Sequence, residues 1–229
     1  MVIPKISAEL PEPLVDPFGY ATHEVFNQPP PLDDYDAFGT DEVLKTIVRT
    51  FGAESYQSRL HEAGIAVGSS RVQELARQAN RSLPELRTHD RFGQRVDRID
   101  FHPAWHELMG LAIAHDTHAL CWNEPGPGAQ VARAALSYLW NQGENGICCP
   151  ISMTYSAVPI LRGDPERWRE WGRLITSKHY DGRQIRAAEK TGATVGMAMT
   201  EKQGGSDLRQ TQTRAMPNGD GSWSLVGHK

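Results

Sequence analysis

Met199-Thr200-Glu201-Lys202-Gln203-Gly204-Gly205-Ser206-Asp207 is the stretch on which the reading of this chain turns. Gly204 and Gly205 carry no Cβ, so the backbone there can take φ > 0 and bring N–H groups close to a large planar or phosphorylated ligand. Thr200 and Ser206 place a hydroxyl on either side of that turn, each able to donate and to accept. Gly-Gly-Ser-Asp by itself is more often an ordinary turn, by roughly four to one. The company it keeps changes those odds.

Ahead of the turn, Ala193 to Thr200 is small and partly β-branched, which suits a strand. After it, Gln210 to Met216 and Trp223 to Lys229 flank Pro217-Asn218-Gly219-Asp220-Gly221-Ser222, a hairpin signal with a loop longer than the tight two-residue class. Four further segments stand out: His23 to Pro29 followed by Pro31-Leu32, Phe101-His102-Pro103-Ala104-Trp105-His106 with Leu108-Met109, Cys149-Pro150-Ile151-Ser152-Met153-Thr154, and Leu225-Val226-Gly227-His228-Lys229. With the Thr-Glu-Lys-Gln-Gly-Gly-Ser-Asp string, and in this order, they resemble the acyl-CoA dehydrogenase family, in its alkylation-response (AidB-like) branch.

The resemblance implies an α+β fold: an all-α helical domain followed by the first strands of a β-barrel-like middle domain. The divisions expected are an extended acidic, Pro-rich arm over 1–38, a helical domain over 39–185, and the start of the β domain with its flavin loop over 186–229. FAD is the implied cofactor. Thr200 would hydrogen-bond the pyrimidine side of its ring, Met197 and Met199 would line the ring face, and Gly205 and Ser206 would meet the pyrophosphate. Ser206 would also reach the thioester arm of an acyl-CoA-like substrate. In the family a carboxylate removes the α-proton while the flavin takes the β-hydrogen as hydride, and the protein orients both. That catalytic glutamate belongs to a C-terminal helical bundle beyond this sequence, so no catalytic residue is assigned; Glu201 and Asp207 belong to the loop's own structure. The full-length protein is expected to be a homo-oligomer that oxidises acyl-CoA thioesters at Cα–Cβ. The alternatives are a DNA-protection protein with vestigial dehydrogenase activity, touching DNA only through its C-terminal domain, and a truncated fragment without function.

Composition sets outer bounds. The 229 residues are 39% hydrophobic and carry a net charge of −4. The charge is uneven, because residues 1–44 hold nine acids and one base. The remainder is too weakly basic for a nucleic-acid surface, which needs a concentrated basic face. Arg162 to Lys190 has eight bases against five acids and reads as a solvated helix face and loop. Cys121, Cys148 and Cys149 make neither a disulfide framework nor a zinc spacing, which suits a reducing cytoplasm. No secretory signal opens the chain, and no run approaches a membrane span.

Helical periodicity predicts a first helix capped by Thr40, with Val43, Leu44, Ile47, Val48 and Phe51 as an apolar stripe at helical spacing. A second is expected over about 54–63, and a third from Ser70, which with Gln73 makes a capping box. Others begin at Pro103, after Gly126-Pro127-Gly128, and at Pro150 over 150–162, the last apolar enough to sit at a bundle centre. To about residue 180 the chain reads all-α. His102 and His106 stand four apart but lack the rest of a zinc motif, and Gly126-Pro127-Gly128 lacks the strand and third glycine of a dinucleotide site. No Gly-x-Ser-x-Gly elbow surrounds a serine. Metal, Rossmann and serine-nucleophile readings are set aside.

Overall fold

The computed structural model describes residues 18–20, 22–23 and 26–229. The expectation of an acidic arm therefore falls partly outside the described residues. The architecture is α+β and mostly helical. Its elements are α1 (Glu42–Thr50), α2 (Gln57–Val67), α3 (Ser70–Arg81), the hairpin β1 (Glu85–His89) and β2 (Arg95–Asp100), α4 (Pro103–Ala114), the short α5 (Leu120–Asn123), α6 (Ala129–Gly143), α7 (Cys148–Arg162), α8 (Pro165–Ile175), and a second hairpin of β3 (Arg214–Pro217) and β4 (Trp223–Val226). Each hairpin is its own two-stranded antiparallel sheet, and the described strands close no barrel.

The helix starts follow local chemistry, shifted from the expected positions by a residue or two. Asp41, not Thr40, caps α1: its Oδ1 accepts from Leu44 N at 2.8 Å, while the Thr40 hydroxyl donates back to Asp36 O. Ser69 rather than Ser70 caps α3 by accepting from Val72 N. Gln73 departs from the capping box, and its amide donates to Val67 O instead. Two adjacent hydroxyl residues offer the same cap chemistry, and only the chain's entry angle selects one. α7 opens at Cys148, two residues before Pro150, directly after a turn in which the buried Glu144 carboxylate accepts from Gly146 N and Ile147 N at 2.8 and 2.7 Å. Asp164 and Pro165 start α8 in the same manner.

Two expectations fail outright. The chain is not all-α to residue 180, because β1 and β2 pair between α3 and α4, with Leu86 opposite Ile99 and a bulge at Asp97 (φ 43°). The ribbon is solvated on both faces, so its strands lack the apolar–polar alternation that announces a half-buried strand. Residues 193–200, expected as a strand, have no ladder partner among the described residues. Their burial alternates along part of the segment as a strand's does, but they are held by helices: Ala193 N donates to Leu174 O and Val195 N to the Thr154 hydroxyl, both at 3.0 Å.

The core forms around α6. Ala129, Ala132, Ala135, Leu136, Leu139, Trp140 and Gly143 are buried, and α6 meets α1, α2, α3, α5 and α7. Short side chains let helix axes approach closely, which is why this helix, and not the more uniformly apolar α7, takes the centre. α7 buries one face and leaves Ile160 exposed. It also contains Pro159, whose missing N–H leaves the carbonyl of Tyr155 without its helical donor; the indole N–H of Trp122 on α5 donates to it at 3.1 Å.

The chain before α1 is pinned on α2 by two glycines one turn apart. Ala37 N donates to Gly64 O and Tyr35 N to Gly68 O, and Phe38 is fully buried. A Cβ on Gly68 would lie 1.9 Å from Tyr35 O. Gly68→Ala should therefore lift residues 35–38 from α2 and destabilise the fold by about 1–3 kcal/mol, the usual cost of overpacking. Gly126→Ala, which meets nothing within 4 Å, should be near neutral. Urea unfolding of both variants measures the difference.

Candidate functional site

The Thr-Glu-Lys-Gln-Gly-Gly-Ser-Asp string folds into a closed turn. Glu201 N donates to Gly204 O at 3.0 Å and Gly204 N to Glu201 O at 3.1 Å. The turn is built around the Glu201 side chain, which is almost fully buried. Its carboxylate accepts from Gln212 N at 2.8 Å, Thr213 N at 3.0 Å, the Thr213 hydroxyl at 2.6 Å and the Gln203 amide at 2.6 Å. Lys229 Nζ adds an ion pair at 2.9 Å and also donates to Met199 O at 3.0 Å. The Thr213 hydroxyl first, then Gln212 N, Lys229 and Gln203, hold the Glu201 carboxyl far below its ordinary value of 4.5. A carboxylate so fully engaged is a structural template, in keeping with its expected place in the loop's own structure, and no proton acceptor.

Gly205 presses on Thr200: a Cβ at 205 would lie 2.6 Å from the Thr200 hydroxyl. Next to this contact Gln203, Gly204, Gly205, Ser206, Asp207 and Leu208 border a concavity of about 220 Å³. Asp207 faces away from ligand duty, since Arg209 binds its carboxylate through Nε at 2.8 Å and keeps it below the usual range. Of the five residues expected to hold a flavin, Gly205 and Ser206 line this concavity and Thr200 backs it. Met197 and Met199 stand outside it. Met197 N points to Met153 Sδ at 3.2 Å, and the Met199 side chain is exposed.

A second cavity, about 560 Å³ and mostly apolar, opens where distant segments meet. Leu83 and Pro84 follow α3, Phe101 and Trp105 come from the start of α4, Pro150 and Met153 from α7, and Val195 from the extended segment. Phe101 stacks on Trp105 with centroids 4.0 Å apart. Glu144 is its single lining carboxylate, and that side chain is committed to Gly146 N, Ile147 N and Asn80. The 101–106 and 149–154 segments stand out in the sequence, but nothing in their local spacing assigns their residues to a site. Their shared cavity is a property of the folded chain. His102 and His106 have separate duties, the first capping α4 and the second bonding the Tyr180 hydroxyl at 2.7 Å.

With this geometry in place, comparison with known proteins decides the family. The model of the adaptive response protein AidB N-terminal domain matches residues 27–182, most of the chain. The chain belongs to that family. AidB of Escherichia coli (strain K12), a putative acyl-CoA dehydrogenase, is 42% identical over 212 residues, which are 92% of this chain and 39% of that protein. Acyl-CoA dehydrogenase family member 11 of Caenorhabditis elegans is 26% identical over 203 residues, 85% of this chain and 32% of the relative. Two solved structures share the fold: C. elegans ACDH-11 in complex with C11-CoA (TM-score 0.74, 24% identity, 92% of this chain and 36% of that one) and Bd2924 in its apo form (TM-score 0.71, 24% identity, 85% and 39%). The AidB-type chain thus spans about a third to two-fifths of the curated relatives it matches. The domain match ends before the Glu201 turn.

Glu201→Gln keeps the side chain's size but removes the charge and turns one acceptor into a donor facing other donors. Amide protection at Gln212 and Thr213 should fall by about tenfold or more, as expected for buried donors left unsatisfied, with α6 amides unchanged; hydrogen exchange by NMR reads both. A depressed folded pKa means the carboxylate's contribution is fully present above about 4.5 and lost only as pH falls through the lowered folded value. The wild-type turn should accordingly stay closed in mild acid.

Proposed function

We propose that this chain is the flavin-loop and acyl-cavity portion of an FAD-dependent, acyl-CoA-oxidising protein, with residues 39–185 as its helical domain and 186–229 as the start of its flavin-bearing β domain. The reading is carried by Met153. That side chain lines the 560 Å³ apolar cavity, and its sulfur accepts the N–H of Met197 on the segment running into the Glu201 turn. The apolar cavity and the candidate flavin segment are therefore contiguous through one residue.

The residues present fit the cofactor. Gly205 offers backbone approach and the Thr200 and Ser206 hydroxyls offer hydrogen bonds at the concavity, while Met197 and Met199 stand beside it. Bound there, FAD would supply a hydride acceptor. The chain's own part is to hold and orient: Glu201 fixes the turn, Thr154 and Met153 fix the segment before it, and the Phe101–Trp105 stack gives an acyl chain a dry wall. C. elegans ACDH-11, which shares the fold, was solved in complex with C11-CoA, and an apolar cavity of this size suits the acyl portion of such a molecule. Glu144 and Glu201 are both saturated with donors, so the α-proton acceptor of the reaction would come from another segment. No helix of the described residues is long and apolar enough to cross a membrane.

The test separates cofactor from substrate in a full-length protein carrying this segment. Thr200→Ala and Ser206→Ala should weaken flavin retention by about 0.5–1.5 kcal/mol each, one hydrogen bond's worth. Gly205→Val should do worse, since its side chain must displace Thr200. Flavin absorbance after gel filtration reads these three. Leu83→Trp, at the cavity wall away from the flavin segment, should instead narrow the cavity and raise the acyl-CoA Kd while leaving flavin bound. Retention unchanged in all three loop variants would overturn the assignment.

A further inference from the structure

Two cavities meet at the start of α4. The apolar one of about 560 Å³ and a second of about 330 Å³ have Phe101, Trp105 and Thr194 in common and no other lining residue. Their chemistry differs. Leu83, Pro84, Pro150 and Met153 make the first mostly apolar, and the Glu144 carboxylate at its edge is already filled by donors. The second carries the Tyr180 hydroxyl bonded to His106 at 2.7 Å and the Asp181–Arg183 ion pair, also at 2.7 Å. The rings between the two cavities are held in place. Phe101 and Trp105 stack at 4.0 Å with their planes 21° apart, and Trp105 meets His106 and Tyr180 edge-on at 5.4 and 6.4 Å. The backbone beneath is held too, since Trp105 N donates to His102 O at 2.9 Å in the first turn of α4.

We propose that the Phe101–Trp105 stack is the end wall of the acyl cavity and sets the longest acyl chain the protein accepts, an inference that rests on the acyl-CoA reading above. The segment before the flavin turn gives the direction. Ala193 and Thr194 line the polar cavity, Thr194, Val195 and Gly196 line the apolar one, and Met197 leads on to the Glu201 turn. The stack thus stands at the end of the apolar cavity remote from that turn, where a chain whose thioester lies beside the flavin would finish. An alkyl chain gains affinity with each methylene it removes from water, roughly fourfold per buried CH₂. The gain stops where the next methylene must displace a packed ring or enter polar space. Both conditions hold here: stacked rings leave no room between them, and behind them lie an imidazole, a phenol hydroxyl and an ion pair. Met153, elsewhere on the wall, is a flexible thioether that can shift with an occupant. The stacked pair, in contact with rings on both sides, is the rigid limit. It also parts the polar cavity from the apolar one, which keeps the end of the chain in a dry site.

Isothermal titration calorimetry of a full-length protein carrying this segment, with straight-chain thioesters from butanoyl-CoA to icosanoyl-CoA, tests the idea. Circular dichroism checks the fold of each variant. In the wild type, affinity should rise with chain length and then stop at a definite length. Trp105→Ala should move that limit to longer chains and raise the ratio of long-chain to short-chain affinity by about tenfold or more, the worth of about two further buried methylenes. The ratio cancels any uniform loss of binding. Phe101→Leu, a milder change, should move the limit the same way by less. Ala187→Trp, at a site that borders the second cavity only, should leave the wild-type limit in place and bring that of Trp105→Ala back toward it. A limit unmoved in both Trp105→Ala and Phe101→Leu, with acyl-CoA still bound, would overturn this inference alone. So would a limit that Ala187→Trp fails to bring back. Wild-type protein that retains flavin but binds acyl-CoA of no length would overturn the acyl-CoA reading as well.

Discussion

Close approach to α6 is the constraint on which the rest of this molecule depends. Alanines at 129, 132 and 135 and Gly143 keep the helix thin, so five other helices can rest on it at once, and Trp140 fills the space between them. In a close-packed interior an added methylene on that surface displaces a whole neighbouring helix rather than one side chain. The position of α7 is set in this way. α7 in turn carries Met153 and Thr154, the side chains that hold the segment leading into the candidate flavin turn.

The candidate site is thus anchored at two points of different character. Upstream, a thioether and a hydroxyl of α7 bond the backbone of residues 193–200, which have no neighbouring strand among the described residues. Downstream, the buried Glu201 carboxylate organises the turn, the entry to the second hairpin and Lys229 together. Hydrogen bonds to an ionised acceptor are stronger than neutral ones, and a carboxylate that satisfies several backbone donors compensates for its own desolvation. A ligand loop assembled around such a centre is held before any ligand arrives, which lowers the ordering cost of binding.

Much of this was legible in the sequence, because the informative signals were local. Pro103 and the Gly-Pro-Gly turn placed two helix starts, the Pro217–Ser222 loop placed the second hairpin, and the Gly-Gly-Ser-Asp string with its companion segments identified the family. What was missed depends on partners. Residues 193–200 have a strand's composition, but composition does not reveal whether another strand is at hand. The β1–β2 ribbon is solvated on both faces and its bulge breaks the alternation, so periodicity is silent about it. Helical spacing also does not say where the α1 stripe leaves the core: Leu44 and Val48 are buried, while Val43, Ile47 and Phe51 are exposed. The 560 Å³ cavity joins residues from 79 to 196 in sequence, and burial of that kind exists only once α3, α4 and α7 have packed.

Pro159 gives α7 a property that its hydrogen-bond inventory alone does not express. In most helices the last turns form from the helix's own backbone, and tertiary contacts then stabilise what is already shaped. Here the carbonyl of Tyr155 finds its donor in another segment, the indole of Trp122, which also stacks on the Tyr155 ring at 5.2 Å. The C-terminal half of α7 is therefore completed by α5 and not by itself. One hydrogen bond and one ring stack thus tie the C-terminal half of α7 to α5, so loss of the Trp122 indole would leave a backbone carbonyl of α7 without its donor.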